Sequence, residues 1–293
     1  MSDEPISHVL SETVCELGEG PSFEAETNRL WWFDILGRTL HERDLASGQE
    51  RHHRLPFLAS VVARIDDERQ LLATEKGLYI RSRSDGALTP HVELEPGTTT
   101  NRSNDGRVHP SGSLWIGTMG KGAEEGAGAI YHVARATVTR LFAGISIPNG
   151  ICFSPDGTTG YFVDTKVNHL MCVPLDPGTG LPVGDASLLA DTSDRSGGMD
   201  GSVCDLEGNI WNARWGGGAV DCYAPDGRLL RSLAVPARQP TCPVFHGDTF
   251  DRLAVTSAWE GLGPAERETD LLAGQLFSFA VDMAGLPEPA FRL

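Results

Sequence analysis

The chain has 293 residues, 40% of them hydrophobic, with 34 glycines, 18 prolines and a formal net charge of −16. That acidity disfavours nucleic-acid binding, which needs a basic face, and no stretch approaches the roughly 18–20 apolar residues of a membrane helix. The acidic opening Met1-Ser2-Asp3-Glu4-Pro5 lacks the basic and apolar regions of a signal peptide, so a cytoplasmic protein with reduced cysteines is expected.

In chain order, Ile6 to Cys15 precedes the first of six repeats. Each repeat has a turn rich in Gly, Asp and Asn followed by a bulky strand. The anchors are Leu30-Trp31-Trp32, Leu71-Leu72-Ala73, Leu114-Trp115-Ile116, Tyr161-Phe162-Val163, Ile210-Trp211-Asn212 and Leu253-Ala254-Val255. Their first residues lie 41, 43, 47, 49 and 43 positions apart. A period of roughly 40–50 residues built from short strands is the mark of a β-propeller. We therefore expect an all-β chain of six blades, each of four antiparallel strands, closed as one domain over residues 1–293.

Third strands are expected at Thr39–Asp44, Leu78–Ser82, Ala129–Ala134, His169–Pro174, Val220–Tyr223 and Gln275–Val281, where apolar and polar residues alternate. In the third repeat, Asn104–Pro110 reads as the innermost strand, Leu114–Thr118 as the second and Ala136–Phe142 as the outer one. Gly120–Gly128 and Gly216–Gly218 read as loops between second and third strands. The last repeat reaches Leu293 with only a weak outer strand. The stretch Ile6 to Cys15 is expected to pair into that blade and close the ring, removing two open sheet edges.

Counting back 10 to 12 residues from four anchors reaches Glu19, Arg102 with Asn104, Asn149 and Asp200. Equivalent positions in different blades meet around one axis. Glu19, Asn149 and Asp200 then present two carboxylates and an amide, which suits a divalent cation such as Ca²⁺, Mg²⁺, Mn²⁺, Fe²⁺ or Zn²⁺. Three protein ligands leave room for water and substrate. Each is followed by glycine, which lets backbone approach closely. Arg102 and Asn104 alternate with Ser103 and can face a hydroxylated substrate together. Loops after the second strands rim the same mouth, which puts Lys121, Glu124, Trp215 and Trp259 near a ligand. Asp-Gly pairs are also ordinary turn sequences; those at Asp85, Asp156 and Asp226 read as structural, and that at Asp105 stays open. No G-x-S-x-G elbow is present, which argues against a serine hydrolase.

Together Leu17-Gly18-Glu19-Gly20-Pro21, Asn101 to Arg107 before Leu114 to Met119, Pro148-Asn149-Gly150, and Asp200 to Asp205 resemble the regucalcin/gluconolactonase/luciferin-regenerating-enzyme family. Gly201-Ser202-Val203 and Trp215-Gly216-Gly217 look closest to its bacterial sugar lactonases. The resemblance implies a six-bladed propeller with one catalytic divalent cation. It maps the metal residues onto Glu19, Asn149 and Asp200, and the substrate contacts onto Arg102 and Asn104. Two departures stand out. Met199 replaces the family's usual proline before the metal Asp. Gly122 falls about where some members carry a substrate-contacting Glu, with Lys121 beside it and Glu124 two residues on.

The expected reaction is hydrolysis of a sugar lactone (glucono-, xylono-, arabino- or galactonolactone) to the sugar acid. The cation polarises the carbonyl, Asp200 serves as base for water, Arg102 and Asn104 orient hydroxyls, and Trp215 flanks the ring. Lys121 suggests a variant in which the substrate is an aldarolactone or uronic-acid lactone. A reading from another class, a non-catalytic calcium-binding regulatory protein, would use the same three ligands. Arg102 and Asn104 favour the enzyme. A monomer or weak homo-oligomer is expected.

Overall fold

In a computed structural model, which describes residues 7–293, twenty-four strands form six four-stranded antiparallel sheets. The sheets are the blades of a six-bladed β-propeller. Their inner strands, in order, are Gly18–Glu24, Ala59–Arg64, Asn101–Val108, Pro148–Phe153, Gly198–Cys204 and Pro240–His246.

The second strands explain why the repeat is so visible. In the first blade Leu30 and Trp32 pack toward the sixth blade, while Trp31 and Phe33 pack toward the second. Leu114 and Ile116 likewise face the second blade, and Trp115 faces the fourth. Side chains alternate across a strand, and a propeller blade is covered on both faces. A second strand must therefore be apolar throughout, which is what the bulky triplets record. Six apolar clusters result, one between each pair of neighbouring blades. Removing one large anchor side chain should cost about 3–5 kcal/mol.

The third strands Thr39–Asp44 and His169–Pro174 fall where expected, and the other four differ by a residue at one or both ends. The inner strand of the third blade begins three residues earlier than expected, with Asn101, Arg102 and Ser103 paired to Gly120, Met119 and Thr118. The added residues are polar, and an inner strand bordering the channel accommodates polar side chains. The outer strand of that blade runs on to Ile145. A short helix, Pro264–Thr269, lies between the second and third strands of the sixth blade and was not anticipated.

The ring closes as expected. Ser7–Ser11 pairs with Leu276–Ala280 as the outer strand of the sixth blade. Of the stretch assigned this role, Ile6 lies outside the described residues, and Cys15 is held by its backbone N–H on the Gly274 carbonyl at 2.9 Å. After Ala280 the chain forms no further strand; it crosses the face of the ring where the inner strands end. All six cysteines are free thiols, and among the described residues no helix is long and apolar enough to cross a membrane.

Candidate active site

One local device shapes the site. Each inner strand carries a register shift early in its course: Glu19/Ser22, Ala59/Val61, Ser103/Gly106, Asn149/Cys152, Met199/Ser202 and Pro240/Pro243. A bulge re-aims a side chain that would otherwise follow the pleat. Glycine permits it at the crowded positions. Gly20 has φ +51°, and a Cβ there would collide with the Ser60 carbonyl oxygen. A Cβ on Gly201 would strike the Cys242 sulfur.

The bulges bring the expected residues together at the mouth where the inner strands begin. Glu19, Arg102, Asn104, Asn149 and Asp200 are all buried, at 8%, 9%, 8%, 3% and 5% exposure. A hydrogen-bonded chain links Arg102, Asn104 and Asn149. Arg102 Nη1 donates to Asn104 Oδ1 at 2.7 Å, and Asn104 Nδ2 donates to Asn149 Oδ1 at 3.0 Å. Asn149 Nδ2 donates to Thr165 Oγ1 at 2.8 Å, which donates to the Met199 carbonyl at 2.7 Å. With its amide nitrogen tied to Thr165, Asn149 keeps its oxygen toward the channel. Asn212 Nδ2 donates to the Asp200 carbonyl at 2.6 Å and fixes the fifth bulge. Met199 is fully buried against the fourth blade, so the departure at this position is absorbed by packing.

Electrostatically the mouth is unbalanced. Among the described residues no Lys, Arg or His lies within ion-pair distance of Glu19 or Asp200. Burial first, then the neighbouring Asp105 carboxylate, pushes the Glu19 carboxyl up to about 8. Burial and then the charge of Glu19 hold Asp200 well above the carboxylate range. Arg102 is held below its ordinary value by burial, while Glu260 acts on it more strongly than Glu19 or Asp200. Arg102 offsets part of the charge of both carboxylates from a distance, but two buried carboxylates with no direct ion-pair partner remain unfavourable unless a cation joins them. No three His, Cys, Asp or Glu side chains among the described residues are gathered so as to hold an ion by themselves. The candidate set instead has two carboxylates and an amide oxygen, which fits a hard or borderline cation.

The rim residues divide. Trp215 is half-buried and packs against the apolar cluster that includes Leu17 and Ala258 of neighbouring blades. Lys121 is not free: its Nζ meets Glu75 Oε2 at 2.5 Å and donates to the Thr99 carbonyl at 3.0 Å. Glu124 is exposed and accepts from the Gly122 N–H of its own loop at 3.2 Å. Trp259 is covered by Arg267, whose guanidinium lies 4.0 Å from the ring.

Two residues escaped the sequence reading. Asp105 is buried beneath the site, where its carboxylate accepts from the N–H groups of Gly106 at 2.9 Å and Ile151 at 2.7 Å. Burial pushes it up to about 6. Its place in the polar run Asn101 to Arg107 was the available signal. Glu260 follows Trp259 on the loop after the second strand of the sixth blade, a rim position by the rule that selected Trp215.

The sequence pattern described as the SMP-30/Gluconolactonase/LRE-like region matches residues 17–259. The chain is 56% identical to a Rhizobium meliloti (strain 1021) protein that carries the provisional name sugar lactone lactonase, over 97% of this chain and 96% of that protein. It is 36% identical to an L-arabinolactonase of Azospirillum brasilense, over 97% and 94%. A solved structure of a calcium-binding protein, regucalcin, from Agrobacterium tumefaciens str. C58 superimposes with a TM-score of 0.97 at 56% identity, covering 99% of this chain and 98% of that one.

Proposed function

Because the chain belongs to the SMP-30/gluconolactonase/LRE-like family, we propose that it is a sugar lactonase that opens a neutral aldonolactone to the sugar acid with the help of one divalent cation. The observation that carries this reading is the pair of buried carboxylates, Glu19 and Asp200, that have no direct ion-pair partner and lie beside the Arg102–Asn104–Asn149 hydrogen-bond chain. The names of the relatives at 56% and 36% identity support the reaction class.

Glu19, Asn149 and Asp200 would hold the cation. Such an ion, when bound, supplies Lewis acidity to the lactone carbonyl oxygen. The chain's own groups do the rest. Arg102 and Asn104 donate to ring hydroxyls and orient the sugar, and Trp215 covers one face of it. Asp200 accepts a proton from water as the water oxygen bonds to the carbonyl carbon. The ring C–O bond then breaks, and that proton passes to the departing oxygen, giving the hydroxy acid.

The charge of the rim favours a neutral substrate. Lys121, the cation that could meet an acidic lactone, is engaged by Glu75, and Glu260 adds a further carboxylate near Arg102.

The test is hydrolysis of pentono-, hexono- and aldarolactones by metal-stripped protein, with Ca²⁺, Mg²⁺, Mn²⁺, Fe²⁺ or Zn²⁺ restored singly and spontaneous opening subtracted. Metal-dependent turnover of neutral lactones is expected, falling about a thousandfold in Asp200→Asn, roughly 4 kcal/mol of barrier. Unchanged turnover in that variant with metal still bound would remove the proton role from Asp200. Tight binding of a metal with no turnover would favour the calcium-binding regulatory reading.

A further inference from the structure

The C-terminal segment straps the face opposite the mouth. On one side the Ala284 carbonyl accepts from Leu206 N–H at 2.8 Å, and Gly285 N–H donates to Phe250 O at 2.9 Å, on turns of the fifth and sixth blades. On the other side Phe291 N–H donates to Arg64 O at 2.8 Å, and Arg292 N–H to Gly112 O at 2.9 Å, on the second and third blades. Phe291 is 1% exposed in the apolar cluster between those two blades.

Between these anchors Glu288 dips to the axis. Its Oε2 accepts from Ser22 Oγ at 2.6 Å, and its Oε1 accepts from Arg107 Nη1. The same guanidinium donates through Nη2 to the carbonyls of Ser202 at 2.9 Å and Pro243 at 3.5 Å. The pair thus ties the inner strands of the first, third, fifth and sixth blades at one level. That level lies just below the site. Ser22 follows Glu19 by three residues and Ser202 follows Asp200 by two, roughly 7–10 Å along a strand.

We propose that Glu288 and Arg107 are positioning residues for the cation site. Their tie sets the separation of the first and fifth inner strands, and so of Glu19 and Asp200. Glu288 also cancels the positive charge that Arg107 places beneath a bound cation. The inference rests on the metal reading above.

Sealing the channel by itself needs no charge. A well-packed apolar group of similar volume closes a cavity with equal or better stability than a buried ion pair. A pair whose members reach carbonyls on several strands is suited to fixing register instead. Groups outside the ligand shell commonly alter metal affinity 10–100-fold when changed.

The test is calorimetric titration of the metal-stripped full-length chain with Ca²⁺, Mn²⁺ or Zn²⁺. Glu288→Gln removes the charge at nearly constant volume. We expect its metal Kd to rise roughly tenfold or more, with far-UV circular dichroism unchanged and part of the loss recovered in Glu288→Asp. A Kd within about twofold of the parent, alongside a lowered Tm, would overturn the proposal and leave a purely structural clasp. Should Glu288→Gln fail to fold, Ser22→Ala removes one of the two bonds and should raise Kd about threefold; an unchanged Kd there overturns the proposal equally. A parent that bound none of these ions would overturn the metal reading and this proposal with it. A parent that binds while the variants bind equally well overturns this proposal alone.

Discussion

At the open mouth Glu19 and Asp200 are buried with no Lys, Arg or His of the described chain in ion-pair reach. At the strapped end, two to three residues further along the inner strands, the partly buried Arg107 of the third strand meets Glu288 and two backbone carbonyls. The fold can therefore neutralise charge on its axis and does so where the channel is sealed. Carboxylates left without a direct ion-pair partner at the other end are a specific property of that end. Sites built to bind hold interactions that the empty protein leaves unsatisfied, at some expense of stability.

The largest expected effect comes from breaking that contrast at the mouth. Glu19→Gln removes one buried carboxyl group, the proposed anionic ligand, at nearly constant size. Lactone hydrolysis should fall at least about a thousandfold, with metal binding lost in calorimetry. The Tm of the metal-stripped protein should rise, because a carboxyl that burial and Asp105 make costly to ionise has gone. A drop in metal-free Tm would mean that Glu19 serves the fold and would end the contrast drawn here.

Acid should test the strapped half of the ring. His246 ends the sixth inner strand, next to the turn that holds Gly285, and burial and then Arg252 lower it to about 4. His41, stacked on Trp32, is lowered to about 4 by burial and then His52. A histidine with a depressed folded pKa leaves the unfolded chain binding more protons. Its stabilising share is therefore complete above about pH 6.5 and is lost as pH falls toward 4. The loss is on the order of 3 kcal/mol for each residue. Denaturant titrations between pH 7 and 4 should show it, and His246→Asn should flatten part of the slope.

The blades were legible because a second strand covered on both faces has to be apolar throughout, and no other demand overrides that pattern. The candidate site residues could be picked out because they share one phase relative to those strands. Asp105 could not. Its Asp-Gly pair is the same dipeptide as the Asp156 and Asp226 turns, so even within the expected strand Asn104–Pro110 nothing local marked its carboxylate as belonging to the site. The strap was invisible for a related reason. Pro287-Glu288-Pro289 has no periodicity, and the partners that give it meaning lie 181 residues away at Arg107 and 266 away at Ser22. Lys121 shows the converse. Its position on the rim was read correctly, but the Glu75 that engages it comes from a different blade, and no local pattern announces it.

That last pair gives the smallest expected effect and sharpens the contrast between the two ends. Glu75 holds Lys121 at the rim, where water screens the interaction, and such exposed pairs contribute about 0–1 kcal/mol. If Lys121 is already neutralised, Lys121→Ala should change the preference between acidic and neutral lactones less than about twofold. Glu75→Gln should do more. It releases a cation on the loop beside Arg102, and kcat/KM for aldarolactones should rise about three- to tenfold relative to neutral lactones. Raised salt should shrink that gain, since an exposed charge acting over several ångströms is screened. A large loss of acidic-lactone turnover in Lys121→Ala would instead show that substrate displaces Glu75, and the mouth, like the strapped end, would then be built around a paired cation.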